Sequence, residues 1–342
     1  FLKKVVSRII EDNSDSILEL SIIIVDIIII IYKYKIESNY IYYIYYEMDF
    51  SITHYENQLG SKQDFSISGR IDDFAYLIVC DGHGKGILAN KCKIMPWNNI
   101  INKTTGKAIL TEINRWILIN CPNLYRDGAT ISIAKIYKDK IKLYWLGDSQ
   151  IHVRVNNLYY KSENHNTNNV VEVAKNKTTE NIYWAFKVLN DTDLLAVQYK
   201  YFKFINSNEE EELLAMSRAL GHENITLQKF QEKELRYNPS DSLEILIASD
   251  GLYDVLYEEN PLIIYKNNNA KFFVDLATRR WHQEWNYKIP NNIRQSNGDP
   301  YPDQKQYFQN EEKDDIIVVH YTNNKPITST LPNSLVIESF NN

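Results

Sequence analysis

From residue 50 onward the chain alternates short apolar runs with polar turns. Residues 74–80 (FAYLIVC) are apolar without a break and stop at Asp81, as a strand buried on both faces does. Residues 129–137 and 141–146 flank Lys138-Asp139-Lys140 and predict a hairpin. QIHVRV at 150–155 and LYYK at 158–161 flank Asn156-Asn157 and predict another. LEILIAS at 243–249 predicts a strand ending at Asp250, and IIVVHY at 316–321 predicts one beginning just after Asp314-Asp315. Helical spacing recurs at about 86–95, 106–120, 209–220 and 270–285. Strands grouped in meanders, with helices between the groups, predict an α+β fold of antiparallel sheets covered by helices. Residues 286–313 are polar, contain Pro290, Pro300 and Pro302, and predict an exposed insertion. Residues 323–342 predict a loose polar tail.

The N-terminal part has a different texture. Residues 17–32 are the most apolar stretch, but the run is shorter than the ~20 residues a bilayer span needs. It also carries Glu19 and Asp26. Residues 1–47 have no amphipathic period. They are expected to lie outside the fold, as upstream sequence ahead of a natural start at Met48, which leaves a single domain over 48–322. The alternative is a hydrophobic anchor, the one case in which membrane contact is expected.

Composition narrows the function classes. The net charge of −6 and pI near 5.7 argue against a general nucleic-acid binder. The 3 cysteines, Cys80, Cys92 and Cys121, are too few and scattered for a disulfide framework or a zinc cluster. They fit a reducing compartment, the cytoplasm, with the nucleus left open. The 25 tyrosines accompany only 11 glycines and 9 prolines, a bias that AT-rich coding DNA explains without any binding role.

The candidate chemistry lies in the carboxylates. Asp81 and Asp250 each end an apolar strand, Asp148 ends IKLYWLG, and Asp314 precedes one. Asp-Gly and Gly-Asp are common turn dipeptides, so one such pair alone carries little. Four of them abutting hydrophobic strands carry more. Clustered carboxylates repel, and a site built from them has to hold cations. Oxygen ligands without a Cys or His cluster point to Mg²⁺ or Mn²⁺.

In their order these segments resemble the type 2C family of metal-dependent serine/threonine protein phosphatases. The resemblance is carried by LGSKQDFSI (59–67), LIVCDGHGKG (77–86), DGATISIA (127–134), LYWLGDSQIHV (143–153), SENH (162–165), SRALGH (217–222), ILIASDGLYDVL (245–256) and KDDIIVVHY (313–321). It implies two central antiparallel sheets sandwiched between helices. It also implies two metal ions, with a third in many members, a phosphoprotein substrate and a monomer. By matching position, Asp81 bridges the metals, helped by the Gly82 carbonyl. Asp250 and Asp314 complete one shell, Asp64 supports the second metal, and Asp148 belongs to a further site. Asp254 orients a ligand or a water. A metal-bridging water then attacks phosphorus in line, and His83 donates a proton to the leaving oxygen. The plainer alternative for His83 is a turn histidine at a helix start.

The chain also departs from the family. Gln63 stands where Glu is frequent, and Leu59 where the phosphate-binding Arg lies. Lys62, Arg70 and Lys85 are the nearby cations that could replace that Arg. Asn164 and His222 occupy positions where Asp is common. Leu59 and Gln63 favour an alternative function, a catalytically degenerate domain kept as a binding or regulatory module.

Overall fold

A computed structural model describes residues 50–323, apart from 61, 122, 123, 125, 207, 223–225, 258, 259 and 267. The N-terminal segment 1–47, the expected start at Met48 and all of the tail beyond 323 lie outside the described residues. Ten strands build the centre: β1 Ser51–Asn57, β2 Phe65–Ile71, β3 Phe74–Cys80, β4 Ile131–Ile136, β5 Lys140–Leu146, β6 Gln150–Val155, β7 Leu158–Lys161, β8 Gln231–Arg236, β9 Leu243–Ala248 and β10 Ile316–Thr322. They form two five-stranded sheets, ordered β1-β10-β9-β6-β7 and β8-β5-β4-β3-β2. All pairings in the second sheet are antiparallel. So are β10–β9, β9–β6 and β6–β7 in the first.

The unbroken apolar runs go where they must. All of β3 is buried, because it lies between β2 and β4 and packs against β9 and β10 of the other sheet. The two predicted hairpins, β4–β5 and β6–β7, form as expected.

Helices cover the sheets. Helix α1, Gly106–Asn120, starts where the Thr105 side chain accepts from Ala108 N, and it buries Ile109, Leu110, Ile113 and Ile117. Helix α2, Ala270–His282, starts where Asn269 accepts from Phe272 N. Its Phe273, Ala277 and Trp281 join Leu246 of β9 and Val318 of β10 in one apolar cluster. Burying Phe273, Leu246 or Val318 is worth about 1.5–3 kcal/mol each. Arg279, Arg280 and His282 sit in the last turn, where the helix dipole favours cations.

Two expectations need correction. The helix at 209–220 is absent. Glu211–Leu214 instead pairs antiparallel with Phe202–Ile205, and Leu220–Gly221 pairs with Gly128–Ala129. The reason is local: Asn206 Oδ1 accepts from Asn208 N and Glu210 N, so the acidic run closes a hairpin. The helix at 270–285 stops at His282, because Gln283 is extended and Trp285–Lys288 is a strand. That strand brings part of the 286–313 insertion into a sheet. It pairs with Asp193–Leu195 and with Gln304–Gln306. Among the described residues no helix is long and apolar enough to cross a membrane.

A buried ion cluster crosses the first sheet. Arg154 on β6 pairs with Glu244 on β9, with Nε 2.9 Å from Oε2, and His320 Nε2 on β10 lies 2.8 Å from Oε1. Glu244→Ala strands a buried guanidinium and is expected to cost about 3–5 kcal/mol. Denaturant titration checks this, and a loss below ~1 kcal/mol, the range of an exposed pair, contradicts it.

Candidate metal centre

Strand register brings the acidic strand ends together. Phe65 pairs with Cys80, so Asp64 and Asp81 abut, and Gly82 N donates to Asp64 Oδ1 at 3.3 Å. Ala248 pairs with Val318, which sets Ser249-Asp250 beside Asp314-Asp315. Ile131 pairs with Leu146, and Thr130 N donates to the Asp81 carbonyl at 2.8 Å. Gly147-Asp148 therefore reaches the same end of the molecule.

One carboxylate oxygen from each of Asp81, Asp148 and Asp250 lies within 4.8 Å of the others. Asp250 is also in hydrogen-bonding reach of Asp81 and Asp314. Asp148 thus stands with Asp81 and Asp250 in one group of acids. Asp314 borders this trio through Asp250. Asp64, 3% exposed, faces Asp250 and Asp314.

The donor set fits divalent cations. Asp64 Oδ2, Asp148 Oδ1, Asp250 Oδ1 and Gln63 Oε1 are buried with no hydrogen-bond partner. Such orphaned oxygens are costly unless something positive satisfies them. Burial and then mutual repulsion push Asp64 and Asp81 well above the ordinary carboxylate range. Asp314 is pushed up to about 8, by burial and then Asp250. Asp148 rises to about 6, mainly by burial. Five crowded acids with hard oxygen donors suit Mg²⁺ or Mn²⁺.

Supporting groups hold these acids, and several were invisible in the sequence. Asp315 accepts from Gly60 N (2.7 Å) and Gln63 N (2.9 Å), tying the loop before β2 to the start of β10. The Asp-Asp pair therefore divides its work: Asp314 faces the cluster and Asp315 fastens its wall. Asp127, in the DGATISIA segment, accepts from Ile87 N and Leu88 N and caps the short helix after the Asp81 loop. Trp281 Nε1 donates to the Gly251 carbonyl at 2.7 Å, and Arg280 donates to that of Val255 at 3.0 Å. Helix α2 thereby fixes the turn bearing Asp250. Gly251 is required there, since a Cβ would lie 2.1 Å from the Asp315 carbonyl oxygen.

The remaining candidates divide. His83 Nε2 lies 2.5 Å from His222 Nε2, with the rings stacked at 4.6 Å. Burial, and then His222, lower the His83 pKa to about 3, so the ring is neutral at pH 7. His222 is 2% exposed and is a neighbour of His83. Lys62 and Lys85 are exposed and flank the acidic loops. Arg70 pairs with Ala75, near the opposite end of β3 from Asp81, and at about 3.4 Å per residue that separation takes it away from the cluster. Leu59 packs against the apolar cluster of α2. Asp254 opens onto a cleft of about 480 Å³ shared with Asp314 and Lys313.

No family model matches the chain, and no curated protein matches it significantly. Solved structures do. A C. elegans sex determining protein is 15% identical, with a TM-score of 0.50, over 80% of this chain and 65% of that one. The chain thus spans less than two thirds of that protein's length. Serine-threonine phosphatase 2C from Toxoplasma gondii is 16% identical over 80% of this chain and 94% of its own, at a TM-score of 0.47. The catalytic domain of the serine threonine protein phosphatase PstP, solved with 2 manganese ions, is 14% identical over 80% and 97%, at 0.44. Type 2C phosphatases are among the structural neighbours, and the likeness is one of fold.

The acids make the metal-free protein pH-sensitive in a stated direction. Their folded pKa values lie above the ordinary 3.8, so the folded state binds more protons than the unfolded one between about pH 4 and 8. Their contribution to stability is full at the acid end and is lost as pH rises through that window. The metal-free melting temperature is expected to be lower at pH 8 than at pH 5. Millimolar Mn²⁺ at pH 8 is expected to recover most of the difference. Scanning fluorimetry reads both, and a melting temperature indifferent to Mn²⁺ contradicts the metal assignment.

Proposed function

We propose that the chain is a Mn²⁺- or Mg²⁺-dependent hydrolase of phosphoserine and phosphothreonine in proteins. The observation that carries it is the set of buried, unpartnered carboxylate oxygens at converging strand ends. Asp81, Asp250, Asp314 and Asp64, with the Gly82 carbonyl, would hold two ions, and Asp148 adds a ligand to the same cluster. When bound, the ions supply Lewis acidity toward the phosphoryl oxygens and a water acidic enough to act as nucleophile at neutral pH.

The chain's own groups do the rest. Gln63 Oε1 is buried without a partner beside Gly86 and would add an oxygen without charge. Asp254 lines the adjoining cleft, where it can orient a ligand or a water. His83 is the candidate proton donor to the leaving oxygen. Its neutral ring has one N–H, and the His222 contact engages Nε2. Donation requires that this contact open or share its proton.

A second reading is a degenerate domain used for binding. Leu59 in the apolar cluster and the His83–His222 contact favour it. The retained acids oppose it, because five crowded carboxylates destabilise a fold that has no cation to offset them.

Hydrolysis of a phosphopeptide by the chain, with and without Mn²⁺, separates the two. Asp81→Asn is expected to abolish Mn²⁺-dependent turnover and to reduce the Mn²⁺-induced rise in melting temperature. Retained activity in this variant overturns the bridging role.

His83→Ala is expected to slow phosphopeptide hydrolysis by about 10²–10⁴-fold, while nitrophenyl phosphate, whose leaving group needs no proton, is slowed far less. Equal slowing of both substrates assigns His83 to the loop's structure.

A further inference from the structure

The family pattern puts an Arg at the position of Leu59, and the structure turns Leu59 into the apolar cluster instead. A phosphoryl dianion approaching this acidic site still needs a cation from the protein. The geometry points to Lys313 as that cation, recognising the phosphoryl group in the cleft beside Asp314; this rests on the phosphatase function proposed above.

Four observations converge on Lys313. First, it occupies the space next to the vacated position. Its carbonyl oxygen lies 2.7 Å from where a Gly60 Cβ would sit, so the chain at 59–60 and the chain at 313 touch. Second, it lines the cleft of about 480 Å³ that Asp254 and Asp314 also line, over a floor containing Phe186 and Trp281. Third, among the described residues lining that cleft it is the only cation; Glu312 is a further anion at its rim. Fourth, it is half-buried and has donors to spare. Its Nζ donates to Asn310 Oδ1 at 3.1 Å, which leaves two N–H donors for an anion.

The competing cations are less well placed. Arg70 is on the far part of its strand. Lys62 and Lys85 are exposed, and neither lines this cleft. The acids around Lys313 repel a phosphoryl dianion unless cations neutralise them. Lys313 is therefore expected to act together with bound metal and not in its absence. A lysine offers a point charge and no planar fork, so recognition is by charge and single hydrogen bonds. The cleft also explains how the insertion bears on the site. Asn310, Glu312 and Lys313 end it, and Phe186 belongs to a strand of the small sheet into which the insertion pairs.

The test compares Lys313→Met, Lys313→Arg, Lys62→Met and Lys85→Met with the unaltered chain. Orthophosphate affinity is read on the Mn²⁺-loaded protein by its effect on melting temperature, which needs no turnover. The KM for a phosphopeptide is read in parallel. Lys313→Met is expected to weaken orthophosphate binding and to raise KM roughly tenfold or more, the range of a lost charged hydrogen bond. The Mn²⁺-induced shift should persist, and Lys313→Arg should restore most of the loss. Unchanged orthophosphate affinity in Lys313→Met overturns the proposal, as does a larger loss in Lys62→Met or Lys85→Met. Should Lys313→Met fail to fold, Lys313→Gln takes its place. An unaltered chain that binds orthophosphate through Lys313 but turns over no phosphopeptide keeps this site and overturns the phosphatase function alone.

Discussion

Mutual repulsion among buried carboxylates is the constraint around which the rest of this molecule is arranged. Asp64, Asp81, Asp148, Asp250 and Asp314 meet at one end of two packed sheets. Without cations each raises the cost of ionising its neighbours, so the site opposes the fold at neutral pH. A chain can carry such a cluster only if the surrounding framework is firm enough to hold it. The two five-stranded sheets, with β3 buried along its whole length, supply that framework.

The fastening of the site uses backbone groups more than side chains. Asp315 grips Gly60 N and Gln63 N, Asp127 grips Ile87 N and Leu88 N, and helix α2 grips the Gly251 and Val255 carbonyls. Each bond immobilises a loop at its root, next to an acid of the cluster. Strand ends and capped loops are rigid supports, which keeps the acids in register with one another. The close approach at Gly251 and at Gly60 has the same purpose, because it lets strand ends pack within backbone distance.

His83 and Leu59 lie close to the acids in sequence, yet their side chains are engaged elsewhere. Asp64, Asp81, Asp148, Asp250 and Asp314 lie together, and Gln63 next to Asp64 carries no charge. The histidine beside them is neutral and paired with His222, and position 59 gives its side chain to the core.

The apolar runs and the acids that end them were legible in the sequence, because a strand buried on both faces writes an unbroken hydrophobic run and a polar residue marks its exit. The hairpins at 131–146 and 150–161 were legible for the same local reason, a turn between two such runs. The resemblance at the motifs supplied the expectation that the acids converge. Other features depended on partners outside their own segment. The acidic run at 209–212 looks helical until Asn206 and the strand at 202–205 claim it. Asp127 and Asp315 look like turn residues until their backbone donors are known. Arg70 looks close to the site by residue number, yet antiparallel pairing carries it toward the opposite end of β3. Local composition determines which segments become strands. Only the pairing register and the packing of one sheet on the other decide which of their ends meet.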